Sequence, residues 1–219
     1  MNRQIIKHKF LFLVVSLLVL FVMDAFFDNS ILFGVLFSVV TAFSVYAVEY
    51  NRKLLFAAIA LALLNLASHW LVTTIYPDSI VICFLSCILA IAFLLLIIVA
   101  ILNYVIHDKI VTMNTLCGAI SGYLLLGLIW AFVYTAIYLV QPHGFAMTKT
   151  LAQHLNTTSQ HFTYYSFVTL STLGYGDITP ISNPAKTFSW LEAITGQIYL
   201  TIWIAHLVGM YIAHKKSST

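Results

Sequence analysis

The sequence predicts an all-α integral membrane protein with six transmembrane helices per subunit and a short re-entrant element between the fifth and sixth. Three observations predict it. Of 219 residues, 62% are hydrophobic and 8% charged, with a mean hydropathy of +0.99, outside what a soluble domain carries. Six stretches reach the ~20 apolar residues needed to cross a ~30 Å hydrocarbon core as a helix: roughly 10–27, 31–48, 54–75, 80–106, 115–140 and 187–213. A seventh apolar stretch, Phe162 to Leu173, is too short to span and runs into two glycines and an acid. Irregular backbone at membrane depth is tolerated only where protein buries it or it lines water, so this stretch is expected to enter and leave by the same face.

The basic residues give the orientation. Arg3, Lys7 and Lys9 precede the first segment, Arg52 and Lys53 separate the second from the third, Lys109 follows the fourth, and Lys215 and Lys216 follow the sixth. By the positive-inside rule, that face and both termini are cytoplasmic. Asp28, Asp78 and the long connection from Gln141 to Lys186 then face out. Val22-Met23-Asp24-Ala25-Phe26-Phe27 offers no clear small-x-small cleavage site, so the first segment is expected to remain as a helix. Cys83, Cys87 and Cys117 lie within or beside apolar segments and read as small packing residues rather than a disulfide framework.

Segment character divides the chain at the polar stretch from His107 to Asn114. Residues 1–106 read as a four-helix membrane bundle joined by short turns such as Asp28-Asn29-Ser30 and Tyr76-Pro77-Asp78. Residues 107–219 read as a second module: an outer helix 115–140, a turret 141–158, a short helix 159–171, an irregular strand 172–177 and an inner helix 187–213. Thr157, Thr158 and Ser159 offer caps for the short helix. Its C-terminal dipole end would favour a cation below the strand. With the last helix ending near 213, no nucleotide- or calcium-binding cytoplasmic domain is expected after it. No phosphate loop, nucleophile elbow or metal-ligand spacing points to an enzyme, and dispersed basic residues exclude a nucleic-acid footprint.

Thr172-Leu173-Gly174-Tyr175-Gly176-Asp177 resembles the T-x-G-Y-G-D signature of the potassium channel family, specifically a prokaryotic six-transmembrane type. The resemblance covers residues 115–213. Physics points the same way: a potassium ion must exchange its water shell for oxygens, and rings of backbone carbonyls can supply them. Positive φ at Gly174 and Gly176 would turn consecutive carbonyls to one side. Carbonyls of Thr172, Leu173, Gly174 and Tyr175, with the Thr172 hydroxyl below, are the expected K+ sites. One chain supplies one strand, so a ring needs several copies; the resemblance implies a homotetramer. K+ would be the permeant ion, with no cofactor, in a prokaryotic plasma membrane.

The resemblance also implies that Asp177 ties the mouth of the filter to its surroundings and that Tyr164 and Tyr165 brace it, an interfacial aromatic belt being the alternative for the pair. Family members often carry an acid where this chain has Val168, so gating that relies on such an acid is not expected. Gly196 matches the family's hinge glycine in identity and spacing; close helix packing is the alternative. Helical periodicity turns Gln197, Leu200, Ile204 and Val208 toward a cavity, and Gly209 offers a lower flexible point.

Glu192 is expensive at membrane depth unless it meets water, a partner or a proton. It could bond Ser166, Thr169 or Thr195 behind the filter, or touch the hydrated cavity. His206 is expected to make a neutral interhelical hydrogen bond. Asp24 and His69 fall at similar depth and could pair, or could stand separately in an outer crevice. His143, His154 and His161 read as solvated loop histidines.

The fourth segment, 80–106, lacks Arg and Lys, which removes voltage sensing by an arginine array. Control would then act through the membrane, the outer loop or a separate regulatory protein. The function expected is passive, voltage-independent K+ conduction. A weakly selective cation channel and a non-conducting sensory or assembly subunit are the alternatives.

Overall fold

The computed structural model describes residues 9–27, 29–48, 52–108, 111–147 and 158–217. Arg3, Lys7, Asp28, Lys109, His154 and Thr157, together with the turret stretch 148–157, lie outside the described residues. Four helices come first: α1 (Lys9–Phe26), α2 (Ser30–Ala47), α3 (Arg52–Thr74) and α4 (Ile80–His107). Then follow α5 (Met113–Val140), a 3-10 turn (Pro142–Gly144), β1 (Phe145–Met147), α6 (Thr158–Leu170), β2 (Ile178–Pro180) and α7 (Asn183–Ser217). Among the described residues, six helices, all but α6, are long and apolar enough to cross a membrane.

Helix boundaries follow caps that hydropathy does not register. The Asn29 side chain accepts from Ile31 N and Leu32 N at the start of α2. Thr112 and Thr115 form a capping box at the start of α5, which therefore begins before the expected 115. The Ser182 hydroxyl accepts from Ala185 N at 3.3 Å and Pro184 occupies the first turn, so α7 starts at Asn183 rather than 187. The short helix runs 158–170 instead of 159–171.

Helices α1 to α4 pack as sequential neighbours, and both α1 and α4 lie against α5. Their core is continuous: Phe10, Leu13 and Leu17 of α1, Phe37 and Val40 of α2, and Phe93, Leu94 and Ile97 of α4 join Leu125, Leu128 and Ile129 of α5 and Trp203 of α7. Apolar packing therefore runs across the polar stretch at which the sequence was expected to divide. In a membrane, such packing is driven by contact and hydrogen bonding rather than by escape from water.

One end of the bundle is tied by polar contacts. Lys9 Nζ donates to the Ala47 carbonyl at 3.1 Å, at the negative end of α2, and lies 4.3 Å from the centroid of the Tyr104 ring. Phe10 N donates to Asn114 Oδ1 at 3.1 Å, which satisfies a backbone group that a helix start leaves open. Thr115 Oγ1 donates to Asp108 Oδ2 at 2.7 Å. Through these contacts the starts of α1 and α5 and the ends of α2 and α4 are held together.

The first bundle also reaches α6. The Phe21 ring of α1 meets the Phe167 ring of α6 edge-on at 4.9 Å. Phe167 fits because α5 has Gly127 there; a Cβ on Gly127 would lie 2.6 Å from the ring. A small residue in α5 thus lets two outer elements meet over it.

Candidate ion pathway and the residues behind it

Helix α6 packs against both α5 and α7 and ends by folding the chain back on itself. Ser171 N donates to Phe167 O at 3.1 Å, Thr172 N to Thr169 O at 2.9 Å, and Leu173 N to Val168 O at 2.9 Å. The following strand has left-handed backbone at every second residue: φ is 60° at Thr172, 59° at Gly174 and 80° at Gly176. Glycine adopts this conformation without cost. A β-branched threonine does so at about 1–2 kcal/mol, and its place in the alternation extends the pattern expected from the two glycines. Successive peptides are thereby reoriented, which an ordinary strand cannot do.

After Gly176 the chain returns through β2, which pairs antiparallel with β1: Phe145 faces Pro180, Ala146 faces Thr179 and Met147 faces Ile178. Ile181 N and Ser182 N both donate to Gly144 O, at 2.7 and 3.1 Å. The segment that follows α5 therefore anchors the far end of the strand 172–177. This ladder was not legible in the sequence, because three-residue strands leave no periodicity.

Asp177 sits at that end. Its Oδ2 accepts from the Tyr164 hydroxyl at 2.6 Å and its Oδ1 from Ile178 N at 3.1 Å. Burial first, then the bond to the Asp177 carboxylate, pushes the Tyr164 phenol up to about 12, so it remains a donor at neutral pH. The neighbouring Tyr165 points elsewhere. It lies in a second core with Tyr134, Phe145, Phe162, Ile178 and Ala185, and its hydroxyl is 2.7 Å from Ser189 Oγ. The aromatic pair is therefore divided between Asp177 and the joint of α5, α6 and α7. Val168, which stands where the resemblance places an acid in other members, is buried, and its carbonyl accepts from Leu173 N and Gly174 N.

One side of these elements is exposed. Leu173 is 59% and Tyr175 67% exposed, and nothing lies within 4 Å of a Cβ built on Gly174 or Gly176. On α7, Gln197, Leu200, Ile204 and Val208 are all exposed. Helix α7 runs unbroken past Gly196 and Gly209. Gly196 is buried against the end of α6, where a Cβ would collide with the Leu170 carbonyl oxygen and lie 3.0 Å from its side chain. Nothing lies within 4 Å of a Cβ on Gly209.

Glu192 is fully buried behind α6. Its Oε1 is 2.6 Å from Ser166 Oγ and its Oε2 is 2.5 Å from the Tyr134 hydroxyl. Ser166 Oγ is also 2.8 Å from the Gly127 carbonyl. Of the partners expected from sequence, Ser166 is used; Thr195 bonds only the Glu192 backbone carbonyl, at 2.8 Å. Tyr134 was missed. Its signal was present as a polar-tipped ring in the middle of an apolar helix, which burial obliges to find a partner.

Packing decides three expectations about histidines. His161, expected in a solvated loop, instead lies on α6 and is buried, because the short helix takes it up in its first turns. Asp24 and His69 line one crevice of about 280 Å³, together with Thr73, Ser86 and Thr135. No hydrogen bond joins them: His69 Nε2 has no polar partner, and its ring packs near Phe33, Phe37 and Trp70. His206 Nε2 likewise has none, so the expected interhelical hydrogen bond is absent and the ring instead meets Trp203 edge-on at 5.7 Å. Helix rotation decided the last two, since depth alone left Asp24 and His69 either paired or separate in an outer crevice.

No curated protein and no solved structure matches this chain. Residues 122–213, which contain most of α5, all of α6, the strand 172–177 and most of α7, match the family model described as "Ion channel". Over that region, the part that builds the site, the chain is similar to the ion channel family.

Proposed function

We propose that the protein is one subunit of a homotetrameric, potassium-selective channel that conducts K+ passively. The single observation that carries this reading is the alternation of left-handed backbone at Thr172, Gly174 and Gly176. That alternation lets the carbonyls of Thr172, Leu173, Gly174 and Tyr175 turn to one side as rings of ligands for a dehydrated ion. Because one chain supplies a quarter of each ring, the open faces of Leu173, Tyr175 and α7 are where copies would meet. Gln197, Leu200, Ile204 and Val208 would then line the cavity, and residues 107–219 would act as the pore domain beside the bundle 1–106. Both termini would be cytoplasmic, and K+ the only ligand. The absence of Arg and Lys from 80–106 argues against an arginine-array voltage sensor.

The test is reconstitution of the purified protein in liposomes, with reversal potentials under K+/Na+ exchange. A shift close to that of a K+ electrode is expected. A shift near zero would replace this reading by a weakly selective cation channel, and absence of flux by a non-conducting subunit. Tyr164→Phe removes the donor to Asp177 at a cost of about 1 kcal/mol. Faster decay of K+ flux than in the unmodified protein is expected in the same liposomes; unchanged decay would remove the tie from the function.

A further inference from the structure

Three oxygen–oxygen contacts form one chain through α5, α6 and α7: Gly127 O to Ser166 Oγ at 2.8 Å, Ser166 Oγ to Glu192 Oε1 at 2.6 Å, and Glu192 Oε2 to Tyr134 Oη at 2.5 Å. Each contact at such a distance requires a hydrogen between the oxygens. Ser166 and Tyr134 bring one hydrogen each, and the Gly127 carbonyl can only accept. An ionised Glu192 would leave two hydrogens for three contacts, and one pair of oxygens would face each other through lone pairs in a site with no exposed surface at Glu192. A protonated Glu192 brings the third. Ser166 then donates to Gly127, Glu192 to Ser166, and Tyr134 to Glu192, leaving no contact unfilled.

The neighbours leave this count unchanged. Tyr123 of α5 donates to Leu170 O at 3.4 Å, and the Tyr165 hydroxyl of α6 pairs with Ser189 Oγ of α7, which also donates to Ala185 O at 2.7 Å. Among the described residues, no cation pairs with the Glu192 carboxyl, whose side-chain bonds go to Ser166 and Tyr134.

We propose that Glu192 holds a proton and, as a neutral carboxyl, is the positioning residue of the filter. Ser166 lies two residues before Val168, whose carbonyl receives Leu173 N at 2.9 Å and Gly174 N at 3.4 Å. Fixing Ser166 from both sides fixes the point from which the filter strand starts. The consequence for conduction rests on the channel reading above; the proton itself does not.

Two measurements separate them. Infrared difference spectroscopy of the purified protein at neutral pH is expected to give a protonated-carboxyl carbonyl band that shifts in deuterium oxide and is missing in Glu192→Gln. Absence of that band in the unmodified protein would overturn the proton assignment, whether or not the protein conducts. In liposomes, Glu192→Gln is expected to keep K+/Na+ selectivity, since its amide N–H can donate to Ser166 and its carbonyl can accept from Tyr134. Tyr134→Phe and Ser166→Ala should lower selectivity by about tenfold, each leaving a buried group unsatisfied. Flux of the unmodified protein should fall as pH rises and that of Glu192→Gln should stay flat. Loss of selectivity in Glu192→Gln as large as in Glu192→Ala, or identical pH profiles, would overturn the positioning role. If the unmodified protein carries no flux, thermal unfolding replaces it: Glu192→Gln should melt with the unmodified protein and Tyr134→Phe below it, and the reverse order would overturn the role.

Discussion

Gly174→Ala is expected to collapse K+/Na+ selectivity in the liposome assay. Residue 174 has φ 59°, a conformation that costs a residue with a Cβ about 1–2 kcal/mol, and a tetramer would bear that cost four times at one level of the pathway. Space is not the obstacle, because nothing lies within 4 Å of the added methyl in the single chain. The strain is in the backbone, and its relief is a rotation to negative φ that swings the peptide away from its neighbours' direction. A ring of carbonyls misdirected at one level no longer replaces the ion's water shell, and at least about a tenfold drop in the K+/Na+ permeability ratio corresponds to that ~1.4 kcal/mol. Unaltered reversal potentials in a folded Gly174→Ala protein would sink the carbonyl-ladder account.

Gly196→Ala is expected to lower thermal stability in detergent, by about 1–3 kcal/mol of overpacking. The added methyl meets the Leu170 carbonyl oxygen, which is backbone at the end of α6 and cannot rotate aside. Alanine improves helix propensity by up to about 1 kcal/mol, so the sign of the net change reports which term wins. A hinge alone predicts the opposite result, a stable protein with impaired opening. An unchanged or raised melting temperature would therefore end the packing role of Gly196 and leave the hinge. A lowered one places α7 and α6 in obligatory contact one turn from Glu192, so that movement of α7 would be felt where the strand 172–177 begins.

The sequence carried the hydrophobic spans well because membrane solvation acts on each residue as it comes along the chain. Average hydropathy over a window needs no knowledge of neighbours, and among the described residues six helices long and apolar enough to cross a membrane were found where such stretches were expected. Their ends moved by a few residues because Thr112 and Ser182 cap by hydrogen bond, not by hydropathy. The positive φ at Gly174 and Gly176 was equally readable, since glycine's freedom there is a property of one residue. Thr172 was the exception: its φ of 60° arises from the turn it is tied into, which residue type does not reveal.

What lay beyond the sequence was every feature that depends on how helices are rotated against one another. Counting residues from a membrane face gives depth, and depth alone left Asp24 and His69 either paired or separate; they line one crevice with no hydrogen bond between them. Glu192 could be flagged from the cost of a carboxyl in an apolar helix, but its partner Tyr134 stands 58 positions away and comes within reach only when α5, α6 and α7 are packed together. The same packing turns Gly196 onto Leu170, divides Tyr164 from Tyr165, and joins β1 to β2 across the unpredicted ladder. Composition and local backbone preference act along the chain and so can be read from it. A hydrogen bond or a steric contact between helices also needs their azimuth, which the fit of side chains such as Phe167 over Gly127 decides.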